Sequence, residues 1–558
     1  MITNTDNLRI VIVGGVAGGA TAAARARRCQ ANAQITILEK GPVVSFANCG
    51  LPYHLGGEIA ERQKLLVASA ELFWNRFRVR VHTGHTVRSI DRAAQTVTGL
   101  TADGEEFKFP YDRLILATGS EPIRPPFCTA PAENLFHLWT LEDMDRILEL
   151  MKKRPCKKAT VIGAGYVGLE VVEQLKSRGV EVTLLERLPQ VLAPLDPEMA
   201  KLVELEMRQA GVKVRLGVGV ESLLTSNHKV TAVKLADGES VATDLVICSV
   251  GVRPRTELAQ AAGLELGSRG GVKINAFCQT SDPLIYAAGD IVEYPHGVLG
   301  QPVRMPLAGP ANRSGRVAGA HAATGHSQPL PAVLGTSIVR VFSLAAGATG
   351  LNAAACAAAK LEYRSTIIQA PHHASYFPGA KNLTLKVIYQ PGSGKLLGLQ
   401  AVGAAGVDKR LDVAATVLHF GGTIYDLASL DLAYAPPFGS AKDPLHMAAF
   451  VAENDLARLP QLVPHDADLE GHQVVDVRQP AELEQLPLPG AIHIPVDELS
   501  DRWQELDPSR PTIAVCHSGK RAHVAACLLQ GRGFEAVSNL SGGMAMRRLL
   551  PPAERPAQ

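Results

Sequence analysis

The most constraining feature of this chain is a pattern of strand, glycine-rich turn and helix that occurs twice. The first copy reads LRIVIVGGVAGGATAAARARR and is followed by a second strand, QITILEK, that ends with Glu39. The second copy reads KATVIGAGYVGLEVVEQLKSRGVEVTLLER, and its last strand ends at Glu186. Glycines let such a turn and the helix N-terminus approach a pyrophosphate, and the acidic side chain can hold a ribose hydroxyl. Two copies therefore predict two bound dinucleotides.

The two copies differ in their glycine spacing. The second keeps the usual G-x-G-x-x-G order, whereas Val16 replaces the middle glycine of the first. Glu186 would repel the 2′-phosphate of NADPH, so we expect NADH to be preferred, although the adjacent Arg187 weakens this preference. The dinucleotide-binding residues that follow from the two copies are Gly14, Gly15, Gly18, Gly19, Glu39, Gly163, Gly165, Gly168 and Glu186.

Composition and charge exclude several other classes of protein. With 558 residues, the chain is long enough for roughly three or four domains of about 150 residues. Lys and Arg total 56 against 54 Asp and Glu, so the net charge of +2 provides no overall basic field for nucleic acid. No apolar run reaches the roughly 18 residues that span a bilayer, and the start MITNTDNLRI lacks the regions of a signal peptide. A cytoplasmic protein without a membrane span or a nucleic-acid partner is predicted.

The cysteines are scattered along the chain. There are 9 of them, and none form a C-x-x-C pair. Because a long cytosolic chain keeps its thiols reduced, neither a disulfide framework nor a metal site is predicted. Individual cysteines have to be judged by their local sequence.

Two further segments complete the pattern of the first 330 residues. YDRLILATGS (residues 111–120) and SDPLIYAAGD (residues 281–290) are apolar strands that end in glycine, and Asp290 stands where such sheets bind ligands. This order resembles the flavoprotein disulfide reductase superfamily, in which an FAD domain is interrupted by an NAD(P)H domain. The resemblance implies cofactor contacts from Lys40, Ser45, Thr118, Gly119, Tyr166, Gly251, Asp290 and Ala308.

One cysteine lies in a context that favours reactivity. The stretch VVSFANCGLPYHLGG places Cys49 shortly before Pro52, which can open a helix, and a thiol at a helix N-terminus is favoured as the thiolate. The glutathione-reductase branch carries a pair of cysteines here, but this chain has Ser45 in the place of the first. With one thiol, the oxidised state is predicted to be a mixed disulfide, a persulfide or a sulfenic acid.

The SFxxC pattern around Cys49 resembles the branch of coenzyme A disulfide reductases, NADH oxidases and NADH peroxidases. LAYAPPFGSAKDP (residues 432–444) resembles the segment that distinguishes the coenzyme A disulfide reductases. The resemblance implies a homodimer in which Tyr434 of the partner subunit and Tyr376 approach the redox cysteine. It also implies coenzyme A contacts from Thr21, Arg25, Arg28, Ser45, Asn48 and Lys442.

A second sulfur-handling sequence lies near the C-terminus. The strand TIAVC, the loop CHSGKR and the helix AHVAACLLQGRG would direct backbone N–H groups and a helix N-terminus at Cys516. Lys520 and Arg521 would add positive charge that stabilises a thiolate or a persulfide, and Cys527 is predicted to lie in the core. With DVRQPAE, PGAIHIP and LSGGM in order, this region resembles a rhodanese domain.

The predicted fold class is α/β, with two Rossmann-like dinucleotide-binding domains, an α+β dimerisation domain and a C-terminal α/β rhodanese domain. A stretch rich in Pro, Asp and His is the candidate linker before the rhodanese domain. The predicted boundaries are 1–120 and 246–325 for the FAD domain, 121–245 for the NADH domain, 326–450 for the dimerisation domain, 451–465 for the linker and 466–558 for the rhodanese domain.

These features predict an FAD-dependent reductase that uses NADH to reduce persulfides and polysulfides, with coenzyme A persulfide and coenzyme A disulfide as its small-molecule substrates. Cys49 would attack the persulfide and form a mixed disulfide with coenzyme A, and Cys516 would deliver sulfane sulfur. Two alternatives stay open. One is an NADH oxidase or peroxidase that uses a Cys49 sulfenic acid, and the other is a sulfurtransferase with a redox-sensing flavoprotein scaffold.

Overall fold

The structure is a computed structural model that describes residues 7–129 and 131–549. The described residues divide into two compact units, one formed by residues 7–129, 131–189 and 211–333 and the other by residues 190–210 and 334–549. In the part of the chain that is described, no helix is long and apolar enough to cross a membrane.

The described part of the chain contains both alternating strands and helices and long runs of consecutive strands, such as those in residues 79–122 and 213–254. The strands before residue 190 are β1 (Arg9–Val13), β2 (Gln34–Leu38), β3 (Val79–His82), β4 (His85–Asp91), β5 (Thr96–Thr101), β6 (Glu106–Pro110), β7 (Arg113–Leu116), β8 (Ser120–Pro122), β9 (Leu135–Phe136), β10 (Lys158–Ile162) and β11 (Glu181–Leu185). The helices of the same stretch are α1 (Ala17–Cys29), α2 (Leu51–Gly56), α3 (Ala70–Phe77), α4 (Leu141–Lys153) and α5 (Tyr166–Ser177). Residues 190–333 add α6 (Pro197–Gln209), α7 (Glu257–Ala261), α8 (Ala308–Thr324), β12 (Lys213–Arg215), β13 (Val220–Ser226), β14 (Lys229–Leu235), β15 (Ser240–Ala242), β16 (Leu245–Cys248), β17 (Val252–Pro254), β18 (Ile285–Ala287), β19 (Tyr294–Pro295) and β20 (Pro302–Val303).

The remaining elements follow residue 333. The strands are β21 (Ser337–Val341), β22 (Leu344–Gly350), β23 (Arg364–Pro371), β24 (Asn382–Tyr389), β25 (Leu396–Gly403), β26 (Gln461–Val463), β27 (Gln473–Asp476), β28 (Ile492–His493), β29 (Thr512–Val515) and β30 (Val537–Leu540). The helices are α9 (Ala353–Ala358), α10 (Val407–His419), α11 (Ile424–Ser429), α12 (Pro444–Leu456), α13 (Pro480–Gln485), α14 (Leu499–Arg502), α15 (Lys520–Gly531) and α16 (Gly543–Arg547). Short 3-10 helices lie at Asn48–Gly50, Arg62–Leu65, Pro126–Cys128 and Trp503–Glu505.

Two parallel sheets form the framework of the first unit. Their strand orders are β18-β7-β1-β2-β3 and β12-β11-β10-β16-β9, and all neighbours within them run parallel. The central strands β1 and β10 are buried along nearly their whole length, as parallel strands covered on both faces should be. Each glycine-rich turn leaves the carboxyl end of one of these central strands, which is where ligands bind in doubly wound sheets.

Glycines bring helix α8 close to helix α1. A Cβ added at Gly315 would lie 2.3 Å from the Gly18 carbonyl oxygen, and one added at Gly319 would lie 2.3 Å from that of Ala22. Neither gap admits a side chain, so the two backbones touch directly. This packing fixes α8 against the helix that follows the first turn.

An antiparallel sheet with the order β21-β22-β25-β24-β23 forms much of the second unit. Helix α6 belongs to this unit because the buried Lys386 of β24 lies 2.7 Å from the Asp196 carboxylate and 2.5 Å from that of Glu198. Burial by itself lowers the pKa of the Lys386 amine, but the two carboxylates outweigh it and raise that pKa on balance. The predicted NADH domain, 121–245, therefore includes a segment that packs with the antiparallel sheet.

The last sheet is parallel, with the order β26-β30-β29-β27-β28. Its first strand, Gln461–Val463, lies inside the stretch predicted as a linker, and α12 covers the start of that stretch up to Leu456. The predicted linker, 451–465, thus contains the end of α12 and a short strand flanked by Pro460 and Pro464. The buried Asp455 accepts a 2.7 Å hydrogen bond from the Leu462 backbone, which holds the strand to α12.

Candidate active sites

The first glycine-rich turn is determined by close backbone contacts. Gly14 has a φ of +98°, and a Cβ there would lie 2.2 Å from the Ala117 carbonyl oxygen. A Cβ at Gly19 would lie 1.8 Å from the carbonyl oxygen of Gly14. The carboxylate of Glu39 accepts hydrogen bonds from the backbone N–H groups of Gly15 and Gly41, each at 2.7 Å. The turn thus holds the acidic side chain at the end of β2, beside the start of α1.

The second turn repeats this arrangement. Gly163 has a φ of +104°, and a Cβ at Gly168 would lie 2.0 Å from the carbonyl oxygen of Gly163. Glu186 accepts hydrogen bonds from the backbone of Ala164 at 2.7 Å and of Leu188 at 2.8 Å. A Cβ at Gly165 would meet no atom within 4 Å, so the space before α5, which begins at Tyr166, is open to a ligand. Both turns fit a bound dinucleotide.

The other predicted cofactor residues of the first unit lie on its loops. Thr118 donates a 2.8 Å hydrogen bond to the Arg255 carbonyl oxygen, and a Cβ at Gly119 would meet no atom within 4 Å. Ser120 donates a 2.7 Å hydrogen bond to the Asp290 carboxylate, whose pKa is raised by burial. This partly buried carboxylate can accept a further hydrogen bond from a ligand hydroxyl.

Three further predicted cofactor residues, Lys40, Gly251 and Ala308, differ in charge and in backbone conformation. Burial, followed by the nearby Arg255, lowers the pKa of the Lys40 amine. Gly251 has a φ of +105°, a conformation that favours glycine, and Ala308 is the first residue of α8.

Cys49 lies in the 3-10 helix Asn48–Gly50, directly before α2, whose first turn contains Pro52 as expected. The residue is exposed and forms no disulfide. Partial burial of its thiol raises the pKa, and the negative charges of Glu170 and Asp290 raise it further. The residues around Cys49 therefore favour the protonated thiol, in contrast to the thiolate that the helix N-terminus alone predicts.

A cavity of about 240 Å³ brings together four of the predicted coenzyme A contacts, Thr21, Arg25, Arg28 and Ser45. Sequence reasoning missed Arg316, which α8 contributes to the same cavity. The cavity is also lined by apolar side chains of α1 and α3, among them Ala20, Leu72, Phe73 and Phe77.

The charges of this cavity suit an anionic ligand. The Nε atom of Arg25 is buried and has no hydrogen-bond partner among the described residues, whereas the Arg28 guanidinium lies 5.2 Å from the centre of the Phe77 ring. Guanidinium groups beside apolar side chains can bind phosphate together with an apolar moiety. Two predicted contacts lie elsewhere, because Asn48 does not line the cavity and Lys442 is an exposed residue of the second unit.

The two predicted tyrosines of the second unit meet each other. The hydroxyl oxygens of Tyr376 and Tyr434 are 3.1 Å apart, and both side chains are largely exposed. A backbone hydrogen bond of 2.9 Å from Ala374 to Gly439 joins the two loops that carry them. The pair therefore forms one aromatic, hydroxyl-bearing surface.

The Cys516 loop has a backbone cradle of the expected kind. Cys516 is 1% exposed, and the backbone N–H of Gly519 donates to its sulfur at 3.2 Å. Helix α15 starts immediately afterwards, at Lys520. Gly543 packs directly against this loop. A Cβ at Gly543 would lie 2.4 Å from the Cys516 carbonyl oxygen, so only glycine fits at this position. The backbone of the Cys516 loop and the first residue of α16 are therefore in close contact.

Arg521, one of the two cations predicted at this loop, also has an acidic partner. Arg521 forms a two-pronged ion pair with Glu482 at 2.6 and 2.7 Å, which lowers the pKa of Glu482 to about 2. Glu482, followed by Cys516, raises the pKa of the Arg521 guanidinium. Nothing in the sequence beyond the position of Glu482 in DVRQPAE signals the pairing of Arg521 with Glu482. The core position predicted for Cys527 was wrong, since this residue is exposed on α15, with its sulfur 3.7 Å from the ring of His523.

Comparisons with known proteins identify the three parts of the chain. Residues 8–327 match the family described as pyridine nucleotide-disulphide oxidoreductase, and residues 336–444 match the dimerisation domain of that family. Residues 461–546 match the rhodanese-like domain. The predicted α/β architecture and the predicted rhodanese domain are confirmed.

Two curated relatives cover the part before the rhodanese-like domain. An NADH oxidase of Methanocaldococcus jannaschii is 33% identical over 79% of this chain and 98% of its own. A coenzyme A disulfide reductase of Staphylococcus haemolyticus is 34% identical over 80% of this chain and 99% of its own.

Two solved structures resemble the whole chain. A reduced Bacillus anthracis protein described as CoADR-RHD has a TM-score of 0.94 and 40% identity over 98% of each chain. A NAD-dependent persulfide reductase from A. fulgidus has a TM-score of 0.91 and 38% identity over 97% of this chain and 100% of its own. With its paired glycine-rich turns and a family match that extends over more than half of its length, the chain belongs to the pyridine nucleotide-disulphide oxidoreductase family.

Proposed function

We propose that this chain is an NADH-dependent flavoprotein reductase that acts on persulfides of coenzyme A and on coenzyme A disulfide. The observation that carries this proposal is Cys49, an exposed thiol without a protein disulfide partner in the unit that holds both dinucleotide turns. A lone reactive thiol needs a small external sulfur compound as its partner. The relatives named as coenzyme A disulfide reductase and persulfide reductase support this substrate class.

The chain's own residues position the reactants. A bound flavin supplies two-electron transfer between NADH and a sulfur centre. Glu39 and Glu186, held by backbone N–H groups, accept hydrogen bonds from the two riboses. Thr118, Gly119 and Asp290, with Lys40, Ser45, Gly251 and Ala308, are proposed contacts of the flavin nucleotide, and Tyr166 is proposed for the nicotinamide side.

The sulfur chemistry begins at Cys49. Its thiolate attacks the inner sulfur of a coenzyme A persulfide, the outer sulfur leaves as hydrosulfide, and a disulfide between Cys49 and coenzyme A remains. Two electrons then cleave this disulfide and return both thiols. Arg25, Arg28 and Arg316 hold the phosphates of coenzyme A in the 240 Å³ cavity.

The second unit contributes the remaining functions. Cys516 accepts sulfane sulfur as a persulfide in its backbone cradle and passes it to coenzyme A. A homodimer, in which Tyr434 of the partner subunit and Tyr376 approach Cys49, agrees with the match to a dimerisation domain. A reducing compartment such as the cytoplasm agrees with the 9 free cysteines.

Anaerobic kinetics test the proposal. NADH oxidation and hydrosulfide release should be measured with coenzyme A persulfide, coenzyme A disulfide, glutathione disulfide and inorganic polysulfide. We expect one hydrosulfide for each NADH with the persulfide, and none with coenzyme A disulfide. Equal turnover with glutathione disulfide and with the coenzyme A compounds would contradict the proposal that the arginine-lined cavity selects coenzyme A.

An NADH oxidase is the second candidate, because the Methanocaldococcus jannaschii relative bears that name. An exposed thiol can also be oxidised to a sulfenic acid. Stoichiometric NADH consumption with oxygen alone, at a rate equal to that with the persulfide, would favour this alternative. We expect the oxygen reaction to be the slower of the two.

A further inference from the structure

A side chain of the last sheet is hydrogen-bonded to the end of the Cys516 loop. The loop leaves the sheet at Cys516, directly after β29, and ends at Gly519, the residue before α15. Asn539 of the neighbouring strand β30 donates a hydrogen bond of 3.1 Å from its Nδ2 atom to the Gly519 carbonyl oxygen. The sulfur chemistry proposed above assigns no role to Asn539.

We propose that Asn539 is a positioning residue, which keeps the Gly519 N–H directed at the sulfur of Cys516. This proposal rests on the sulfur-carrier role proposed for Cys516. Asn539 acts through Gly519, whose N–H donates to the Cys516 sulfur at 3.2 Å while its carbonyl oxygen accepts from Asn539. Gly519 has a φ of +89°, and glycine is the residue with the widest choice of backbone conformations. A bond that holds its carbonyl therefore limits how far its N–H can turn away from the sulfur.

The two halves of the loop are held by different kinds of contact. In the first half, the backbone N–H groups of Met544 and Ala545 in α16 donate to the carbonyl oxygens of Cys516 and His517, each at 2.9 Å. Because C=O and N–H point in opposite directions across a trans peptide, the next N–H groups along the loop point away from α16. These contacts are made by the backbone alone. Side-chain substitution can therefore test only the second half.

In the second half, Asn539 links the loop to the sheet. The His523 N–H donates to the same Gly519 carbonyl oxygen at 2.9 Å, but this bond ties the carbonyl only to α15. Asn539 pairs with Ala514 of β29, two residues before Cys516. The two ends of the loop are thus fixed to neighbouring positions of one sheet, which keeps the distance between the Gly519 N–H and the sulfur short.

The stability of the core does not explain an amide at this position. Asn539 is 3% exposed, and its Oδ1 atom has no hydrogen-bond partner among the described residues. A buried oxygen without a partner costs stability, which an apolar side chain of the same volume would avoid. The bond from the Nδ2 atom to Gly519 is the feature that an apolar side chain could not provide.

The directed N–H acts on negative charge during sulfur loading. The Cys516 thiolate attacks the outer sulfur of thiosulfate, the S–S bond of thiosulfate breaks, and sulfite leaves with the bonding electron pair. The persulfide that forms on Cys516 carries one negative charge. Donors that are already aimed at such charge favour the reaction because they need no reorganisation. Loss of the anchor should therefore slow the transfer step more than it weakens the binding of thiosulfate.

Steady-state sulfur transfer from thiosulfate to cyanide tests this expectation on the full-length holoenzyme. In Asn539→Leu, which has a similar volume but no donor, kcat should fall by about three- to tenfold, the range of a single hydrogen bond. The KM for thiosulfate should stay within about twofold. Asn539→Ala removes the same donor without crowding the site and should give the same result. Ser538→Ala is the matched control, because neighbouring residues of a strand face opposite sides of the sheet.

Alkylation of Cys516 by iodoacetamide, followed by mass spectrometry, separates positioning from packing. A weaker cradle leaves less thiolate, so both Asn539 variants should react more slowly than the wild type at pH 7. General loosening would instead speed the reaction of a cysteine that is 1% exposed. Faster alkylation, or an unchanged kcat, in both variants would overturn the proposal. Absence of sulfur transfer in the wild type would overturn the role of Cys516 as a carrier, whereas the alkylation rates would still decide whether Asn539 positions the loop.

Discussion

Cys49 and Cys516 are placed in opposite ways. Cys49 is exposed, and its surroundings, with Glu170 and Asp290 nearby, favour the protonated thiol. Cys516 is buried and receives a backbone N–H at its sulfur. The difference teaches that the rhodanese-like loop directs a backbone donor at its sulfur before any ligand is bound, whereas the reactivity of Cys49 depends on pH and on what binds beside it.

The largest expected effect comes from removing the sulfur at Cys49. In Cys49→Ser, NADH-dependent hydrosulfide release from coenzyme A persulfide should fall by at least roughly a thousandfold, the scale for loss of a nucleophile. Flavin absorbance of the purified protein should match the wild type, because Cys49 is not a predicted flavin contact. Cys29→Ser, a partly buried cysteine of α1, is the matched control and should keep its activity. Retained turnover in the Cys49 variant would contradict the mechanism.

The corresponding change at the other cysteine separates the two sites. Cys516→Ser should lower thiosulfate-to-acceptor sulfur transfer by roughly a hundredfold or more. NADH oxidation with coenzyme A persulfide should stay within about twofold of the wild type, since this reaction needs Cys49 alone. Cys527→Ser, on the same helix as the loop's end, serves as the control. Equal loss of both activities in the Cys516 variant would show that the two sites do not act separately.

The charge of Arg521 beside the Cys516 loop should determine which sulfur donors react fastest with Cys516. Glu482→Gln removes the partner of Arg521 and frees its guanidinium for an anion. Loading of Cys516 by thiosulfate, a dianion, should then become about tenfold faster, while loading by an uncharged organic persulfide changes little. Stopped-flow measurement of Cys516 persulfide formation checks this, with Glu484→Gln on the same helix as control. A thiosulfate rate that stays the same or falls would refute the argument.

The smallest predicted effect concerns the pH profile of Cys49. Because the negative charge of Glu170 helps to raise the pKa of this thiol, Glu170→Gln should lower that pKa and increase the thiolate fraction at neutral pH. Alkylation of Cys49 by iodoacetamide should accelerate by about two- to threefold at pH 7 and reach its plateau at lower pH. The exposed Cys527 of the same molecule is an internal reference. An unchanged profile would assign the raised pKa to burial alone.

The sequence predicted best those features that depend on local sterics. Gly14, Gly19, Gly163 and Gly168 could be identified because their backbone conformation or close contacts admit no other residue. Pro52 at the start of α2 and Gly519 before α15 could be predicted for similar local reasons. In the comparisons, the same features led to the correct family.

What the sequence did not show depends on contacts between distant residues. Arg316 reaches the cavity of Arg25 and Arg28 because α8 packs on α1, and neither helix reveals this alone. The pairing of Arg521 with Glu482, 39 residues away, gives this cation an acidic partner that the local sequence does not show.

The rhodanese-like domain contacts the edge of the antiparallel sheet. β23 is the last strand of that sheet, and its Ile367 N–H donates a 3.0 Å hydrogen bond to the Ser541 hydroxyl, two residues before Gly543. An unpaired edge strand is a template for aggregation, which proteins suppress by covering it. A chain truncated after α12 would leave this edge uncovered, so the C-terminal domain has a structural contact with the sheet beside its proposed role in sulfur transfer.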